Sequence, residues 1–259
     1  MTVSRANHQQ NLGGVVEGNL NLKSEIGLIL PTYCEVENIE EIIREIEKLN
    51  LDLSILVIDD SSPDGTANIV RKLQKEYGNI ILLTRPRKMG LGTAIKDGFK
   101  LLLSLKNPPK YIITMDADHS HNPAEIPKIV APVKYGGYDM CIGSRYHQGG
   151  AVKNWSFPRK IISKVANIIA KLAVGAQIKD YTSGMRCYSA KLVQSVINKL
   201  HSQTYEIQIE VIRQAAKQGF GVIEVPITFI NRKKGKSKLS VREICDFILY
   251  IAKYTSSKL

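Results

Sequence analysis

Two aspartates separated by one residue follow an apolar run in the segment "ITMDADHSHNP" at residues 113–123. Side chains of a strand alternate between its two faces, so Asp116 and Asp118 point to the same side if strand geometry extends this far. Two converging carboxylates suit Mg²⁺ or Mn²⁺, which takes one or two protein carboxylates and completes its shell with water and substrate phosphates. The pair predicts a divalent metal site, with a solvated acidic loop as the alternative.

Two histidines, His119 and His121, lie on the same segment and raise the question of zinc. A zinc site needs three or four nitrogen, sulfur or oxygen ligands, and no third candidate is close to them in sequence. We therefore expect both histidines to be solvated or to lie behind the metal ligands.

Two earlier acidic segments follow strand-like runs, "PTYCEVEN" at residues 31–38 and "VIDDSSPDGT" at residues 57–66. Much of both segments is ordinary turn and helix-cap chemistry. A carboxylate at the carboxyl end of a strand also binds ribose hydroxyls or base N–H groups in nucleotide-binding folds. Of the adjacent Asp59 and Asp60, the second is our candidate for this role.

The elements that must position these side chains alternate between strand and helix patterns. Strand-like runs are "IGLIL", "LSILVI", "NIILL" and "YIITM", and helical periodicity covers residues 39–49, 69–77 and 91–105. In the second half, a strand near "YDMCIG" and another at "GVIEVPITF" flank helices near residues 159–174, 189–199 and 205–218. The alternation predicts an α/β fold with a mostly parallel sheet flanked by helices, whose ligands lie at the carboxyl ends of strands.

The composition bounds the partners and the compartment. With 36 Lys and Arg against 24 Asp and Glu, the net charge of +12 indicates an anionic partner. The four cysteines form no CxxC pair, which argues against a structural zinc site and a disulfide framework. No secretory signal and no apolar run of about 18 to 20 residues is visible, so we expect an intracellular protein that does not span a membrane.

One predicted helix, residues 159–174, is amphipathic. Its apolar stripe consists of Ile161, Val165, Ile168, Ile169 and Leu172, and Lys160, Lys164 and Lys171 lie away from it. This pattern is typical of a helix in a membrane interface, and equally of a surface helix packed on a core.

The motifs together resemble those of a known family. "PTYxExxN", "VIDDSSPDGT", "GLGTA", "MDADxSHxP", "GSRY" and "DYTSGMR" are similar to motifs of inverting family 2 glycosyltransferases, in particular the polyprenol-phosphate (dolichol-phosphate) mannose synthases. The resemblance covers about residues 26–242 and implies a GT-A-type nucleotide-diphospho-sugar transferase fold. It divides the chain into a flexible tail at 1–24, a catalytic domain at 25–239 and an amphipathic C-terminal helix at 240–259.

The resemblance implies a set of donor-binding residues for GDP-mannose. They are Pro31, Tyr33, Glu35, Ile58, Asp60, Asp116, Ala117, Asp118, Gln208, Arg232 and Lys238. Asp116 and Asp118 would hold Mg²⁺ or Mn²⁺ on the diphosphate, which stabilises the departing negative charge. Some relatives have glutamine as a further metal ligand where this chain has Ser120, which puts a third protein ligand in doubt.

The acceptor implied by the resemblance is dolichyl or polyprenyl phosphate. Its phosphate would be held by Arg145, Arg159 and Ser163, and a four-residue spacing puts the last two on one face of a helix. The implied catalytic residues are Asp118, Arg145, Asp180 and Glu210, with either of the last two carboxylates orienting the sugar. A solvated basic start to the helix is the alternative for Arg159.

A lipid acceptor implies work at a membrane. The chain resembles the short form of the family, so we expect peripheral attachment to the cytoplasmic face of a membrane and a possible small membrane subunit. The basic run "RKKGKSK" at residues 232–238 would close over the donor diphosphate; nucleic-acid binding is the competing interpretation of this run, and we do not expect it. Two competing functions for the whole chain are a dolichyl-phosphate glucosyltransferase using UDP-glucose and a haloacid-dehalogenase-like phosphatase.

Overall fold

The computed structural model of the chain describes residues 13–232. The predicted C-terminal helix at 240–259 and Lys238 lie outside these residues. The strands are β1 Val15–Gly18, β2 Ile26–Thr32, β3 Leu53–Asp59, β4 Ile80–Thr84, β5 Tyr111–Thr114, β6 Met140–Ser144, β7 Ala151–Lys153, β8 Arg186–Ser189, β9 Val222–Pro226 and β10 Thr228–Ile230. The α-helices are α1 Ile39–Glu47, α2 Thr66–Glu76, α3 Leu91–Ser104, α4 Ile126–Lys134, α5 Phe157–Val174, α6 Ala190–Val196 and α7 Ile207–Lys217.

Eight of these strands form one twisted sheet in the order β1-β4-β3-β2-β5-β8-β6-β9. The pairs β4-β3, β3-β2, β2-β5 and β6-β9 are parallel, and β1 and β8 run antiparallel to their neighbours. β7 and β10 form a separate parallel ribbon. The architecture is the α/β fold, with a mostly parallel sheet flanked by helices, that the sequence predicts.

The central strands are apolar on both faces because helices cover both sides of the sheet. In β2, Ile29 belongs to one buried cluster while Leu28 and Leu30 belong to the other, and all three side chains are fully buried. Helix α1 buries a single face, formed by Ile39, Ile42, Ile43 and Ile46. This two-sided packing fixes the strand ends that carry the acidic segments.

The structure corrects three details of the sequence prediction. Residues 15–18 lie in the segment expected to be a flexible tail, but they form β1, an edge strand paired with β4. The run "GVIEVPITF" forms two strands in different sheets, because the chain leaves the main sheet after Pro226. The sequence prediction also missed β8, whose pattern "RCYS" at 186–189 begins with a buried arginine.

β8 inserts antiparallel between β5 and β6, and this insertion shapes the site. It places the preceding loop, residues 180–185, beside the end of β5. The hydroxyl of Thr114 in β5 donates a hydrogen bond to the carbonyl oxygen of Gly184 at 2.9 Å. Residues far apart in sequence therefore meet where β5 ends.

The cysteines among residues 13–232, Cys34, Cys141 and Cys187, are free thiols. Burial raises the pKa of Cys141 to about 12, so this thiol stays protonated at neutral pH.

Candidate active site

An open cleft lies at the carboxyl ends of β2, β3 and β5. It holds about 700 Å³ of empty space, counting the part open to solvent. Its lining residues are Pro31, Thr32, Tyr33, Glu35, Asp60, Lys88, Gly90, Leu91, Ala94, Asp116, Ala117, Asp118, Tyr205 and Arg232. The three acidic segments of the sequence analysis thus meet in one place.

Two of the predicted donor-binding residues within residues 13–232 do not line this cleft. Ile58 is fully buried in β3 and packs toward Gly98 of α3, where a Cβ atom would come within 2.8 Å of it. Gln208 is buried in the first turn of α7, and its carbonyl oxygen accepts a hydrogen bond from Arg186 at 2.6 Å. Their proximity to a donor remains a prediction from the family resemblance.

The cleft also contains residues that the sequence analysis did not single out. Lys88 places its ammonium group 5.1 Å from the centroid of the Tyr33 ring. Gly90 has φ = 95°, and a Cβ atom there would lie 2.5 Å from the carbonyl oxygen of Gln203. The "GLGTA" motif signalled this turn, but only the fold shows that the loop around Gln203 packs against it.

Asp59 and Asp60 are neighbours with different surroundings. Asp59 is fully buried, and its carboxylate accepts hydrogen bonds from the hydroxyls of Thr32 and Ser62. Asp60 lines the cleft, where one oxygen accepts from Arg85 Nε at 2.6 Å and the other from the backbone N–H of Met89 at 2.9 Å. A carboxylate oxygen can accept a second hydrogen bond, so Asp60 keeps acceptor capacity toward a ligand.

Asp116 and Asp118 share the cleft and repel each other. Desolvation and the charge of Asp118 raise the pKa of Asp116 above its usual range, although about a third of its side chain is exposed. Desolvation alone would also raise the pKa of Asp118, but Arg232 and Ser120 lower it. Arg232 Nη2 lies 2.6 Å from Asp118 Oδ2, and the N–H of Ser120 donates to Asp118 Oδ1.

The arrangement fits a divalent ion held by two carboxylates. Within residues 13–232, no group of three His, Cys, Asp or Glu side chains stands in a position to hold a metal. The remaining ligands of an ion at Asp116 and Asp118 would therefore come from water and substrate, as is usual for Mg²⁺ sites.

The two histidines separate in the structure. The His119 ring lies beside α1, with Nε2 3.5 Å from Glu41 Oε2 and Nδ1 3.9 Å from Glu45 Oε2. His121 is buried, with its Nδ1 atom 3.6 Å from Asp116 Oδ2 and its ring edge-on to Phe229. Burial lowers the pKa of His121, so its ring is neutral at physiological pH. His121 lies behind the carboxylate, as expected, whereas His119 does not.

Arg145 and Asp180 form a buried bidentate ion pair. Arg145 Nε and Nη2 donate to the two oxygens of Asp180 at 2.8 and 2.7 Å, and the backbone N–H of Arg145 donates to the same carboxylate. The carboxylate of Glu224 accepts hydrogen bonds from the backbone N–H groups of Lys179 and Asp180 and so holds the loop that carries Asp180 in place. The carboxylate of Asp180 therefore faces Arg145 and fixes the orientation of its guanidinium group.

Arg159 and Ser163 lie one turn apart at the start of α5. Arg159 Nη1 donates to the side-chain oxygen of Asn231 at 2.8 Å, and Ser163 accepts a hydrogen bond from the hydroxyl of Tyr146 at 2.8 Å. Because Tyr146 follows Arg145 directly, this bond ties α5 to the loop that carries the second arginine. The structure therefore brings the three predicted acceptor-binding residues together.

Glu210 lies fully buried in α7 and does not line the cleft. Its Oε2 atom accepts hydrogen bonds from the backbone N–H groups of His201 and Ser202 at 3.0 and 2.9 Å. The carbonyl oxygen of the neighbouring Gln203 accepts a hydrogen bond from the backbone N–H of Gly92 at the start of α3. The observed contacts of Glu210 support this loop, and a role in orienting sugar stays a prediction.

Three guanidinium groups cluster at one side of the cleft. The guanidinium carbons of Arg145 and Arg159 lie 5.4 and 4.3 Å from a ring centroid of the same side chain, Trp155. Arg159 also donates a hydrogen bond to Asn231, the residue before Arg232. Arg145 and Arg232 have carboxylate partners, whereas Arg159 donates to a neutral amide. Guanidinium donors gathered in this way suit an anion with several oxygens, such as a phosphate. The site therefore combines an acidic end suited to a cation with a basic end suited to phosphate.

The fold matches that of solved transferases. The glucosyl-3-phosphoglycerate synthase of Mycobacterium tuberculosis, solved with Mn²⁺, UDP and glucosyl-3-phosphoglycerate, superposes with a TM-score of 0.65 at 16% identity, covering 92% of this chain and 81% of that one. The sheet and the acidic cleft at its strand ends define a GT-A-type transferase. Residues 28–197 match Glycosyl transferase family 2, and the chain belongs to this family.

Two relatives cover most of the chain. It is 36% identical over 229 residues to a polyprenol monophosphomannose synthase of Mycolicibacterium smegmatis, which is 88% of this chain and 85% of the relative. It is 33% identical over 213 residues to an undecaprenyl-phosphate mannosyltransferase of Micrococcus luteus, covering 82% of this chain and 86% of the relative. The resemblance stated from the motifs is confirmed.

Proposed function

We propose that this glycosyltransferase moves mannose from GDP-mannose to the phosphate of a polyprenyl (dolichyl) phosphate, with inversion at the sugar. The observation that carries the proposal is the adjacency of an acidic cleft, at Asp116 and Asp118, to the cluster of Arg145, Arg159 and Arg232. The first feature suits a nucleotide diphosphate with its metal, and the second suits a separate phosphate. The relatives named as mannosyl transferases to polyprenyl carriers support the same substrates.

The donor end of the cleft provides polar groups for a nucleotide. Tyr33, Glu35 and Asp60 line the part formed by β2 and β3, where they would contact the nucleoside. Arg232, next to Asp118, would neutralise charge on the diphosphate. Lys238 is proposed to act with it and lies outside the described residues.

Asp116 and Asp118 would hold Mg²⁺ or Mn²⁺ on the diphosphate. When bound, such an ion stabilises the negative charge that develops on the leaving nucleotide. Asp118 keeps its negative charge at neutral pH because Arg232 and Ser120 lower its pKa. Desolvation and the charge of Asp118 raise the pKa of Asp116, so a bound cation would favour the ionised form of this carboxyl group.

The acceptor end needs alignment more than base catalysis. A phosphate monoester is already an anionic nucleophile at neutral pH, so no residue has to remove a proton from it. Arg145 is fixed by Asp180, and Arg159 of α5 contacts the same Trp155 side chain as Arg145 does. Holding the phosphate oxygens in line with the sugar supplies most of the expected acceleration.

The two competing functions differ in what they need from the site. A glucosyltransferase using UDP-glucose needs the same metal and diphosphate contacts, so it stays open as the second candidate. The haloacid-dehalogenase-like phosphatase is overturned by the family match.

A transfer assay tests the proposal. The protein is incubated with Mg²⁺ or Mn²⁺, a short polyprenyl phosphate and radiolabelled GDP-mannose, UDP-glucose or UDP-GlcNAc in turn. We expect label in the lipid fraction from GDP-mannose only. Label transferred only from a UDP sugar would refute the mannose assignment, and no transfer from any donor would refute the function.

Gly184 gives a test of the metal site that does not depend on activity. A Cβ atom at Gly184 would lie 3.0 Å from Asp116 Oδ1, so alanine must displace this carboxylate. We expect Gly184→Ala to weaken Mn²⁺ binding about tenfold or more, the size seen when groups behind metal ligands change. Binding is measured by electron paramagnetic resonance of free Mn²⁺.

Gly143→Ala is the matched control for this prediction. A Cβ atom at Gly143 also makes a tight contact, at 3.0 Å, but with the apolar side chain of Ile227. Neither glycine has a positive φ, so backbone strain affects neither variant. Equal loss of Mn²⁺ binding in both variants would contradict the specific contact with Asp116.

The apolar stripe of α5 faces outward. Its large apolar side chains are exposed by 41 to 77%, and they are Phe157, Ile161, Ile162, Val165, Ile168, Ile169 and Leu172. The buried side chains of this helix include Ala170, Ala173 and Asn167. Of the two interpretations of the stripe, the structure excludes packing on the core of the described residues. No helix among residues 13–232 is long and apolar enough to cross a bilayer.

We propose that α5 lies in the membrane interface and brings the acceptor phosphate to Arg159 on its first turn. The exposed Lys160, Lys164 and Lys171 would face anionic headgroups. Attachment at the cytoplasmic face and a small membrane subunit belong to the same proposal. The lipid phosphate would then reach the site without leaving the bilayer surface.

Charged substitutions on this face test the membrane proposal. Burying one large apolar side chain is worth about 1.5 to 3 kcal/mol, so Ile162→Glu with Leu172→Glu should lower binding to vesicles with anionic lipid more than about tenfold. Co-sedimentation with the vesicles measures the binding. Unchanged sedimentation would contradict the proposal, and a lowered Tm would instead show that another part of the chain covers this face.

A further inference from the structure

Trp155 contacts both arginines of the proposed acceptor site. It lies between β7 and α5 and is the one tryptophan of the chain. The guanidinium carbon of Arg159 lies 4.3 Å from the centroid of a Trp155 ring, and that of Arg145 lies 5.4 Å from it. Phe229 of β10 packs edge-on against the same side chain at 5.3 Å. The Trp155 indole thus contacts Arg145, which follows β6, and Arg159 on α5.

The two arginines have different polar partners. Arg145 is neutralised by the carboxylate of Asp180, whereas Arg159 donates to the neutral side-chain amide of Asn231. Among residues 13–232, no carboxylate lies within ion-pair distance of Arg159. An arginine close to other positive charges therefore needs a different source of stabilisation.

An aromatic face supplies that stabilisation without consuming hydrogen-bond donors. The ring quadrupole attracts a guanidinium group by about 0.5 to 2 kcal/mol, more when water is excluded. A carboxylate partner would occupy the in-plane N–H groups of Arg159, but a ring against its face leaves them available for phosphate oxygens. The indole N–H of Trp155 is itself buried and has no hydrogen-bond acceptor among residues 13–232. The surroundings of Trp155 therefore offer several N–H donors to an anionic oxygen.

We infer that Trp155 is a positioning residue that holds Arg159 and Arg145 in place for the acceptor phosphate. The inference rests on the proposed function, because it assigns Trp155 to the acceptor end of that site. It separates Trp155 from donor binding: the Trp155 side chain does not line the cleft that holds Asp60 and Asp116. Loss of the ring should therefore affect acceptor use and leave donor use unchanged.

Steady-state kinetics test this separation. We expect Trp155→Leu to raise the KM for a short polyprenyl phosphate at least tenfold while the KM for GDP-mannose changes less than twofold. Trp155→Phe keeps an aromatic face and should raise the acceptor KM no more than about threefold. Tyr135→Leu is the matched control, because it removes an exposed ring that also contacts a cation, Lys134 at 5.3 Å; we expect it to resemble the wild type.

Three outcomes would overturn the inference. They are an acceptor KM within twofold of the wild type in Trp155→Leu, an equal rise of both KM values in that variant, and a Trp155→Phe variant as impaired as Trp155→Leu. An equal rise would show general damage to the fold, and an impaired phenylalanine variant would show that stacking is not the contact that matters.

Fluorescence distinguishes failure of this inference from failure of the proposed function. Because Trp155 is the single tryptophan, its emission should change saturably when a short polyprenyl phosphate is titrated into the wild-type protein. The parent alcohol, which lacks the phosphate, should not cause the change, and Arg159→Gln should abolish it. A saturable signal without label transfer refutes the proposed function but supports the inference, and transfer without the signal refutes the inference alone.

Discussion

Asp118→Asn is expected to lower mannosyl transfer by about 10³-fold or more while the fold stays intact. Asparagine keeps the shape of the side chain but removes the charge that would face the metal and the diphosphate. Loss of a single charge-stabilising group at a reaction centre typically costs 10² to 10³ in rate, and here the metal would also be weakened. Turnover is measured at saturating donor and acceptor, and folding is checked by the thermal midpoint.

The control for this substitution is Glu40→Gln. Glu40 is an exposed carboxylate of α1 that pairs with Arg44 at 3.1 Å, and its loss should leave transfer unchanged. Mn²⁺ binding should fall in Asp118→Asn and stay constant in the control. Transfer by Asp118→Asn within tenfold of the wild type would refute the metal role of this aspartate.

Asp180→Asn is expected to destabilise the protein by about 3 to 5 kcal/mol, because it leaves the buried guanidinium of Arg145 without a counter-charge. Asp180 is fully buried and Arg145 is 7% exposed, so water cannot replace the lost partner. A typical domain is stable by only about 5 to 15 kcal/mol, so the effect is large. Urea unfolding followed by circular dichroism gives the free energy of unfolding.

The surface pair of Arg44 and Glu76 is the matched control for Asp180→Asn. It has the same 2.6 to 2.9 Å hydrogen-bond geometry, but its side chains are 37 and 47% exposed. We expect Glu76→Gln to change the free energy of unfolding far less than Asp180→Asn does, because water screens an exposed ion pair. A similar change in the two variants would show that burial is not the cause.

The same ion pair predicts the direction of a pH effect. Although desolvation opposes it, Arg145 lowers the pKa of Asp180 below that of the unfolded chain. The stabilisation is therefore present above the unfolded pKa of about 3.9 and is lost as the pH falls through the folded pKa. The wild type should lose stability more steeply than Asp180→Asn below about pH 4.

The sequence was sufficient to predict the acidic cleft because each part of it is encoded locally. An apolar run followed by "DDSSPDGT" or "DADHS" marks a strand that ends in carboxylates, and the parallel βαβ pattern sends successive strand ends to the same edge of the sheet. Asp60, Asp116 and Asp118 line the cleft for this reason. Ile58 and Gln208 do not line it, because Ile58 packs toward Gly98 of α3 and Gln208 is buried in the first turn of α7.

The basic end of the site depended on contacts between distant residues. The sequence shows Arg145, Asp180 and Arg159, but not that the first two form a buried ion pair or that Trp155 contacts both arginines. These contacts exist because β8 inserts antiparallel next to β5 and because β7 pairs with β10. No local periodicity encodes either pairing.

By itself, then, the sequence determined the α/β class, the carboxylates at the strand ends and an amphipathic helix near residues 159–174. Tertiary structure alone decided that Asp180 is turned toward Arg145 and that the large apolar side chains of α5 face outward while alanines and Asn167 pack inward. The physical reason is that helical periodicity shows which residues share a face, whereas the rest of the fold determines whether that face meets protein or solvent.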